Sequence, residues 1–247
     1  MDYFFEIHKG IPREGPGDAH STRKAWEMCT DLPEKPKILD IGCGPGMQSF
    51  DLLSISNGWI IGLDTHFPFL LDCRKKSILN QKFNSFYSIN ASMHHMPFAE
   101  YGFDVIWCEG AIYNMGFQKG LYTFHPLLKT GGYMAVTEIS WIADNPPSEI
   151  SNYWEKEYPG INTVEDNLKS VTSAGFELIG HFILPESSWF DNYYNPLFER
   201  IIALQNKYQD EPEFQSCAAE TIQEIEMFQK YSKWYGYVFY IMRLIRN

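Results

Sequence analysis

The sequence predicts an α/β chain built on a largely parallel sheet with helices on both faces. Two observations carry that expectation. Apolar runs at 37–41, 59–64, 83–90, 103–109 and 133–140 read as strands and alternate with helix-like stretches, the order a parallel sheet requires. The first run, Lys37-Ile38-Leu39-Asp40-Ile41, breaks into Gly42, Gly44 and Gly46 before a helix-like pattern at Met47, Phe50, Leu52 and Leu53. A strand, a tight turn and a helix start present backbone N–H groups to a ligand. Glycine suits such a turn because a Cβ would block both the left-handed backbone and the ligand's approach.

The remaining elements follow in order. Residues 1–30 carry Gly10-Ile11-Pro12-Arg13-Glu14-Gly15-Pro16-Gly17, a lead-in expected to act as a lid with glycine hinges. After the fifth strand, 144–160 reads as a proline-started helix bearing Trp154 and Tyr158. A helix near 163–174 leads into a strand at 176–184, and a last strand is expected at 236–245. Between those two strands lies an insertion, 186–234, dense in Trp189, Tyr193, Tyr194 and Phe198. A length of 247 residues suits one α/β domain over 1–247, with 35–140 as its ligand-binding core.

The turn is not the dinucleotide form, since a Gly-x-Gly-x-x-Gly fingerprint from Gly42 needs glycine where Met47 stands. Asp40 at the strand end suits a ligand with hydroxyls or an ammonium better than a pyrophosphate. Asp64 ends the second strand 22 residues after Gly42, the distance at which an acid accepts from both ribose hydroxyls of a nucleoside. Ligands of such sheets lie outside the strand ends where strand order reverses, which puts Asp40 and Glu109 at the mouth.

Asp40-Ile41-Gly42-Cys43-Gly44-Pro45-Gly46, with Asp64, Met96-Pro97-Phe98 and Phe103-Asp104-Val105-Ile106, resembles the class I S-adenosylmethionine-dependent methyltransferases. The likeness over about 35–139 is to the ubiquinone-biosynthesis-type branch that methylates small molecules. Glu109-Gly110-Ala111-Ile112-Tyr113-Asn114, Gly131-Gly132-Tyr133 and Ile183-Leu184-Pro185-Glu186 extend it, over nearly the whole chain, to a little-characterised prokaryotic group. The resemblance implies a Rossmann-like seven-stranded sheet, its last two strands sixth and seventh and the seventh antiparallel. It also implies S-adenosyl-L-methionine as cofactor and S-adenosyl-L-homocysteine as product. On it, Asp40, Gly42, Cys43, Gly44, Gly46, Asp64, Thr65 and Glu109 form the cofactor site. Many relatives hold the adenine amino group with an Asp five residues before the Pro-Phe pair. Ser92 stands there in this chain, followed by Met93, which can cover the ring.

Methyl transfer from a sulfonium is an in-line displacement in which positioning and water exclusion supply most of the rate. Glu109, directly after the fourth strand in apolar surroundings, is the first candidate to orient or deprotonate an acceptor. Tyr113, four residues on, shares its side if a helical turn follows. Glu138 and Trp141 near the fifth strand's end, and Trp189, Tyr193 and Tyr194 in the insertion, are candidates for the substrate wall. A cationic substrate would suit that wall through cation–π contact. The aromatic surplus suits a homodimer interface equally well. His94-His95 make poor joint ligands, because neighbours on an extended segment face opposite ways. Asn145-Pro146-Pro147 lacks the following aromatic of the amino-methylating motif and stands after the wrong strand.

A formal charge of −11, with no basic cluster larger than Arg74-Lys75-Lys76, disfavours nucleic acid. Five scattered cysteines without Cys-x-x-Cys spacing read as reduced thiols, with no metal site. The start lacks a leader pattern and the longest apolar stretch, 234–242, is too short for a bilayer, so a cytoplasmic protein without a membrane partner is expected. Competing expectations are a methyltransferase acting on protein or tRNA, and a non-catalytic S-adenosylmethionine-binding protein.

Overall fold

The computed structural model describes residues 2–245. Two short helices open the chain, α1 (Tyr3–His8) and α2 (Ala19–Glu27). Each starts at an aspartate that caps a first-turn N–H, Asp2 for Phe5 at 3.5 Å and Asp18 for Ser21 at 2.8 Å. Strands and helices then alternate as β1 (Lys37–Ile41), α3 (Met47–Ile55), β2 (Trp59–Asp64), α4 (Phe67–Leu79), β3 (Phe86–Asn90), β4 (Phe103–Cys108), α5 (Phe117–Phe124) and β5 (Leu128–Trp141). Beyond them come α6 (Ser148–Glu157), β6 (Asn162–Thr163), α7 (Val164–Ser173), β7 (Phe176–Ile183), α8 (Ser187–Trp189), α9 (Asn195–Gln205), α10 (Pro212–Tyr231) and β8 (Tyr235–Leu244).

The strands form one sheet in the order β3-β2-β1-β4-β5-β8-β7, with β6 paired to the end of β5. β8 runs antiparallel to both neighbours and the other pairings are parallel. The antiparallel last strand and the Rossmann-like order are as the family resemblance implied. Every residue of β4 is buried, as in strands covered on both faces. Alternate residues serve opposite cores: Ile38, Val105 and Ala135 pack on one side, Leu39, Ile106 and Met134 on the other.

Several details differ from the sequence expectation, one being a fifth strand that begins at Leu128 and not at 133. An eighth strand, β6, exists because Ser140 and Trp141 pair with Asn162 and Thr163, a two-residue ladder too short to leave a pattern. Residues 82–85 form a turn, Ser85 N–H donating to Lys82 at 2.9 Å, so the third strand starts at Phe86. The fourth strand stops at Cys108, leaving Glu109 outside the ladder.

The insertion folds back onto the sheet. Trp189 stacks on Phe228 of α10 at 3.9 Å between ring centroids and on Tyr237 of β8 at 5.2 Å. Between α8 and α9 the helix widens into a π turn at Phe190–Tyr194. α1 packs on α9 and α10, with Tyr3 edge-on to Tyr208 at 5.2 Å. No helix among the described residues is long and apolar enough to cross a membrane.

Candidate active site

β1 meets both β2 and β4, so strand order reverses at β1 and a crevice opens above its end. The chain leaves β1 through Gly42 and Gly44, at φ +72° and +52°. A Cβ on Gly42 would run into Ala111, and one on Gly44 would press on Glu14 at 3.2 Å. These two glycines therefore answer both a left-handed backbone and close packing. Asp64 is held over the turn by the N–H groups of Gly44 at 2.9 Å and His66 at 2.8 Å. Each of its oxygens retains capacity for a further donor.

A cavity of about 380 Å³ lies against this turn, walled by Gly42, Gly44, Asp64, Thr65, Ser92 and Met93. Phe4 and Phe5 of α1 close one side, with Phe5 stacked on His66 at 3.6 Å. A second cavity, of about 280 Å³, is walled by aromatic side chains from α6, the insertion and β8. Phe4, Glu14, Gly110 and Tyr113 line both, so the two cavities adjoin. A third, of about 40 Å³, lies under the glycine turn between Arg13, Gln48 and Glu109.

The expected residues divide sharply. Asp64, Thr65, Ser92, Met93, Gly42 and Gly44 line the first cavity, Tyr113 stands at the junction, and Trp189 and Tyr193 line the second. Cys43, fully buried, reaches only the small third cavity. Asp40 corrects the strand-end reading. It has no exposed surface, lines no cavity described above, and one oxygen accepts the Ser49 hydroxyl. Burial raises its carboxyl to about 7. Gly46 serves the helix instead, at φ +85° as the N-cap of α3, where a Cβ would sit 2.7 Å from the Cys73 sulfur.

Glu109 is the larger correction. Its carboxylate is buried, paired with Arg13, and accepts the Thr22 hydroxyl at 2.8 Å and the Trp107 indole N–H at 2.7 Å. A carboxylate so engaged ties α2 and the preceding loop to the sheet and faces neither larger cavity. On the acceptor side, Glu138 stands behind the wall, its Oε1 accepting the Tyr158 hydroxyl at 2.8 Å. Burial raises Glu138 to about 8, with that hydrogen bond opposing. Trp141 packs edge-on against Tyr235, and Tyr194 is buried with its hydroxyl donating to Glu224 at 2.9 Å; neither lines a cavity described above.

Sequence reasoning overlooked Arg13, Glu14, His66, Tyr153 and Glu224. Arg13 is 3% exposed and borders the glycine turn; its Nη1 makes no hydrogen bond and pairs with Asp51 at 4.0 Å. Glu14 accepts from or pairs with His8 Nδ1 at 2.7 Å through Oε2, while its buried Oε1 has no partner. Burial raises Glu14 and Glu224 above the usual carboxylate range. The signal was present for the first pair, a charged dipeptide enclosed by glycines and prolines; the others carried none.

Known proteins show the same architecture. A stretch of 78 residues is 37% identical to the malonyl-[acyl-carrier protein] O-methyltransferase of Legionella pneumophila, covering 31% of this chain and 26% of that one. Phosphoethanolamine N-methyltransferase 1 of Zea mays is 24% identical over 161 residues, 65% of this chain and 32% of that one. Thus the chain spans about a quarter to a third of the length of these curated relatives. A methyltransferase from Geobacter sulfurreducens, solved with S-adenosyl-L-homocysteine, superposes with a TM-score of 0.84 at 13% identity, covering 98% of this chain and 97% of that one. The sequence profile of the family described as Methyltransferase domain matches residues 33–226, well over half of the sequence, and the chain belongs to that family.

Proposed function

We propose that this chain transfers a methyl group from S-adenosyl-L-methionine to a small molecule, the donor in the first cavity and the acceptor in the second. The observation that carries this reading is the junction, where Glu14, Gly110 and Tyr113 line both cavities, so ligands in the two would meet. S-adenosyl-L-homocysteine in the Geobacter neighbour supports the choice of donor.

The residues fit that donor. Asp64 would accept from the ribose hydroxyls, Thr65, Ser92 and Met93 would border the adenine, and Gly42 and Gly44 leave room against the backbone. Arg13, whose Nη1 makes no hydrogen bond and has only Asp51 at 4.0 Å, would face the methionine carboxylate. When bound, the donor supplies an electrophilic methyl on a positively charged sulfur. The protein's part is to orient and to exclude water. Phe4 and Phe5 roof the site, Tyr113 borders the reacting region, and Glu109 is a positioning residue that holds Arg13 in place. On this reading 1–30 is the lid, 35–140 the cofactor core and 186–234 the acceptor side of one domain. An acidic chain with an aromatic wall favours a small molecule over a polyanion.

Calorimetric titration tests the reading: micromolar binding of S-adenosyl-L-methionine with none of NAD⁺ is expected. Asp64→Ala should weaken the former by about 1–3 kcal/mol, the value of hydrogen bonds to a charged group. A wild-type chain that ignores S-adenosyl-L-methionine would sink the proposal.

A further inference from the structure

We infer that the second cavity binds a small organic ammonium that also carries a neutral oxygen, an amino alcohol in chemical class. On the methyl-transfer reading this ligand is the acceptor; its binding does not depend on that reading.

The walls settle the sign of the charge. Aromatic rings of Tyr113, Tyr153, Trp154, Tyr158, Trp189 and Tyr193 alternate with carboxylates of Glu14, Glu157 and Glu224. No Lys, Arg or His side chain lines the cavity among the described residues. Arg13, the neighbour of Glu14, is engaged by Glu109. Glu157 is exposed and pairs with Lys156 at 2.7 Å, which leaves it at the rim. Glu224 has no cationic partner among the described ion pairs, and Tyr194 donates to its Oε1. Rings around a site of negative potential bind ammonium groups through their π faces, and more strongly where water is excluded. A phosphate or carboxylate would meet like charge there, and the one basic ring close behind the wall, His8, is already engaged by Glu14 at 2.7 Å.

Three unpartnered atoms specify the rest. Glu14 Oε1 is a buried acceptor without a donor. The indole N–H groups of Trp154 and Trp189 are buried donors without an acceptor, and Trp189 is only 3% exposed. Buried polar atoms of native proteins find partners, so a ligand that donates to a carboxylate and accepts from an indole completes this wall. At about 280 Å³ the cavity falls at the small end of ligand pockets, roughly 300–1,000 Å³. Before methylation one carboxylate, Glu14 or Glu224, takes the proton that frees the nitrogen lone pair. That pair then makes the N–C bond as the donor's C–S pair returns to sulfur.

The test compares isosteres on the full chain by calorimetry, with and without S-adenosyl-L-homocysteine. N,N-dimethylaminoethanol, protonated at neutral pH, and 3-methylbutan-1-ol differ only by nitrogen for carbon. The amine should bind at least about tenfold tighter, equivalent to about 1.4 kcal/mol. Glu224→Gln, which keeps an acceptor for Tyr194, should cut that ratio below about threefold and leave homocysteine-product affinity unchanged, as expected for loss of a charge partner. Equal binding of the alcohol, or tighter binding of O-phosphoethanolamine than of ethanolamine, overturns the inference; this wild-type comparison decides even if the variant does not fold. Amine preference in a chain that ignores S-adenosyl-L-methionine would overturn the methyl-transfer reading alone.

Discussion

The two adjoining cavities share a wall yet draw on the chain in opposite ways. The first is made mostly of strand-end turns, Gly42 to Gly44, Asp64 to His66 and Ala91 to His94, each nearly continuous in sequence. The second collects small groups of residues from α1, the loop at 14–16, α6, the insertion, α10 and β8. A turn's conformation is dictated locally, by glycines and by the strand that feeds it. A wall gathered from distant elements exists only once those elements have packed, so its chemistry is a property of the tertiary structure. A wall of turns can therefore stay fixed while a wall gathered from distant elements is rebuilt.

Removing the long-range tether should break that contrast most strongly. Arg13→Ala leaves Glu109 buried with one partner gone, which typically costs about 3–5 kcal/mol. Urea unfolding should show that loss, and dimethylaminoethanol binding should fall with it. Full stability in the variant would mean that the N-terminal loop is not held by this pair.

Glu138, behind the second cavity, gives a pH-dependent version. Its folded carboxyl holds a proton up to about 8, whereas the unfolded chain releases it near the ordinary value. Between those pH values the folded state binds more protons, so this group lowers stability as pH rises. Glu138→Gln should therefore gain on the wild type from pH 5 to pH 8, by on the order of 2–4 kcal/mol for a shift of this size. Parallel stability curves across that range would show that Glu138 is solvated in solution.

The smallest effect concerns the roof of the first cavity. Phe5→Leu loses the stack on His66, an aromatic contact worth about 0.5–1.5 kcal/mol. S-adenosyl-L-methionine should bind a fewfold more weakly, with the amine-to-alcohol preference of the second cavity unchanged. A shift in both would show the cavities to be less separable than their walls indicate.

How far the sequence could be read follows the same division. β1, β2 and the glycine turn were legible because apolar runs, punctuating glycines and strand-end acids are local signals, and Asp64 was reachable from them; Thr65, Ser92 and Met93 came with the family resemblance. Asp40 and Glu109 occupy equivalent strand-end positions but are covered, Glu109 by Arg13 across 96 residues and by Thr22 across 87. No local pattern distinguishes a carboxylate that faces a ligand from one that waits for an arginine from the other end of the core. Trp154 and Tyr158 were visible as aromatics on a helix, whereas the face they present depends on how α6 meets α10. β6 left no pattern because two residues cannot show a period.

The π turn at Phe190–Tyr194 gives the aromatic wall of the second cavity a genetic address. A π turn carries one residue more than the α-helical path, and an α-helix turns about 100° per residue. An in-frame loss of a single codon there lets the helix close into regular α form and swings Trp189 around the axis of α9, away from Tyr237. The same step disturbs the loop at 13–18, because Ser188 accepts from the Gly17 N–H at 2.9 Å and Asn192 donates to the Gly17 carbonyl at 3.3 Å. A deletion of three nucleotides there is thus expected to reshape the aromatic wall and to loosen the loop that carries Arg13 and Glu14 in a single step.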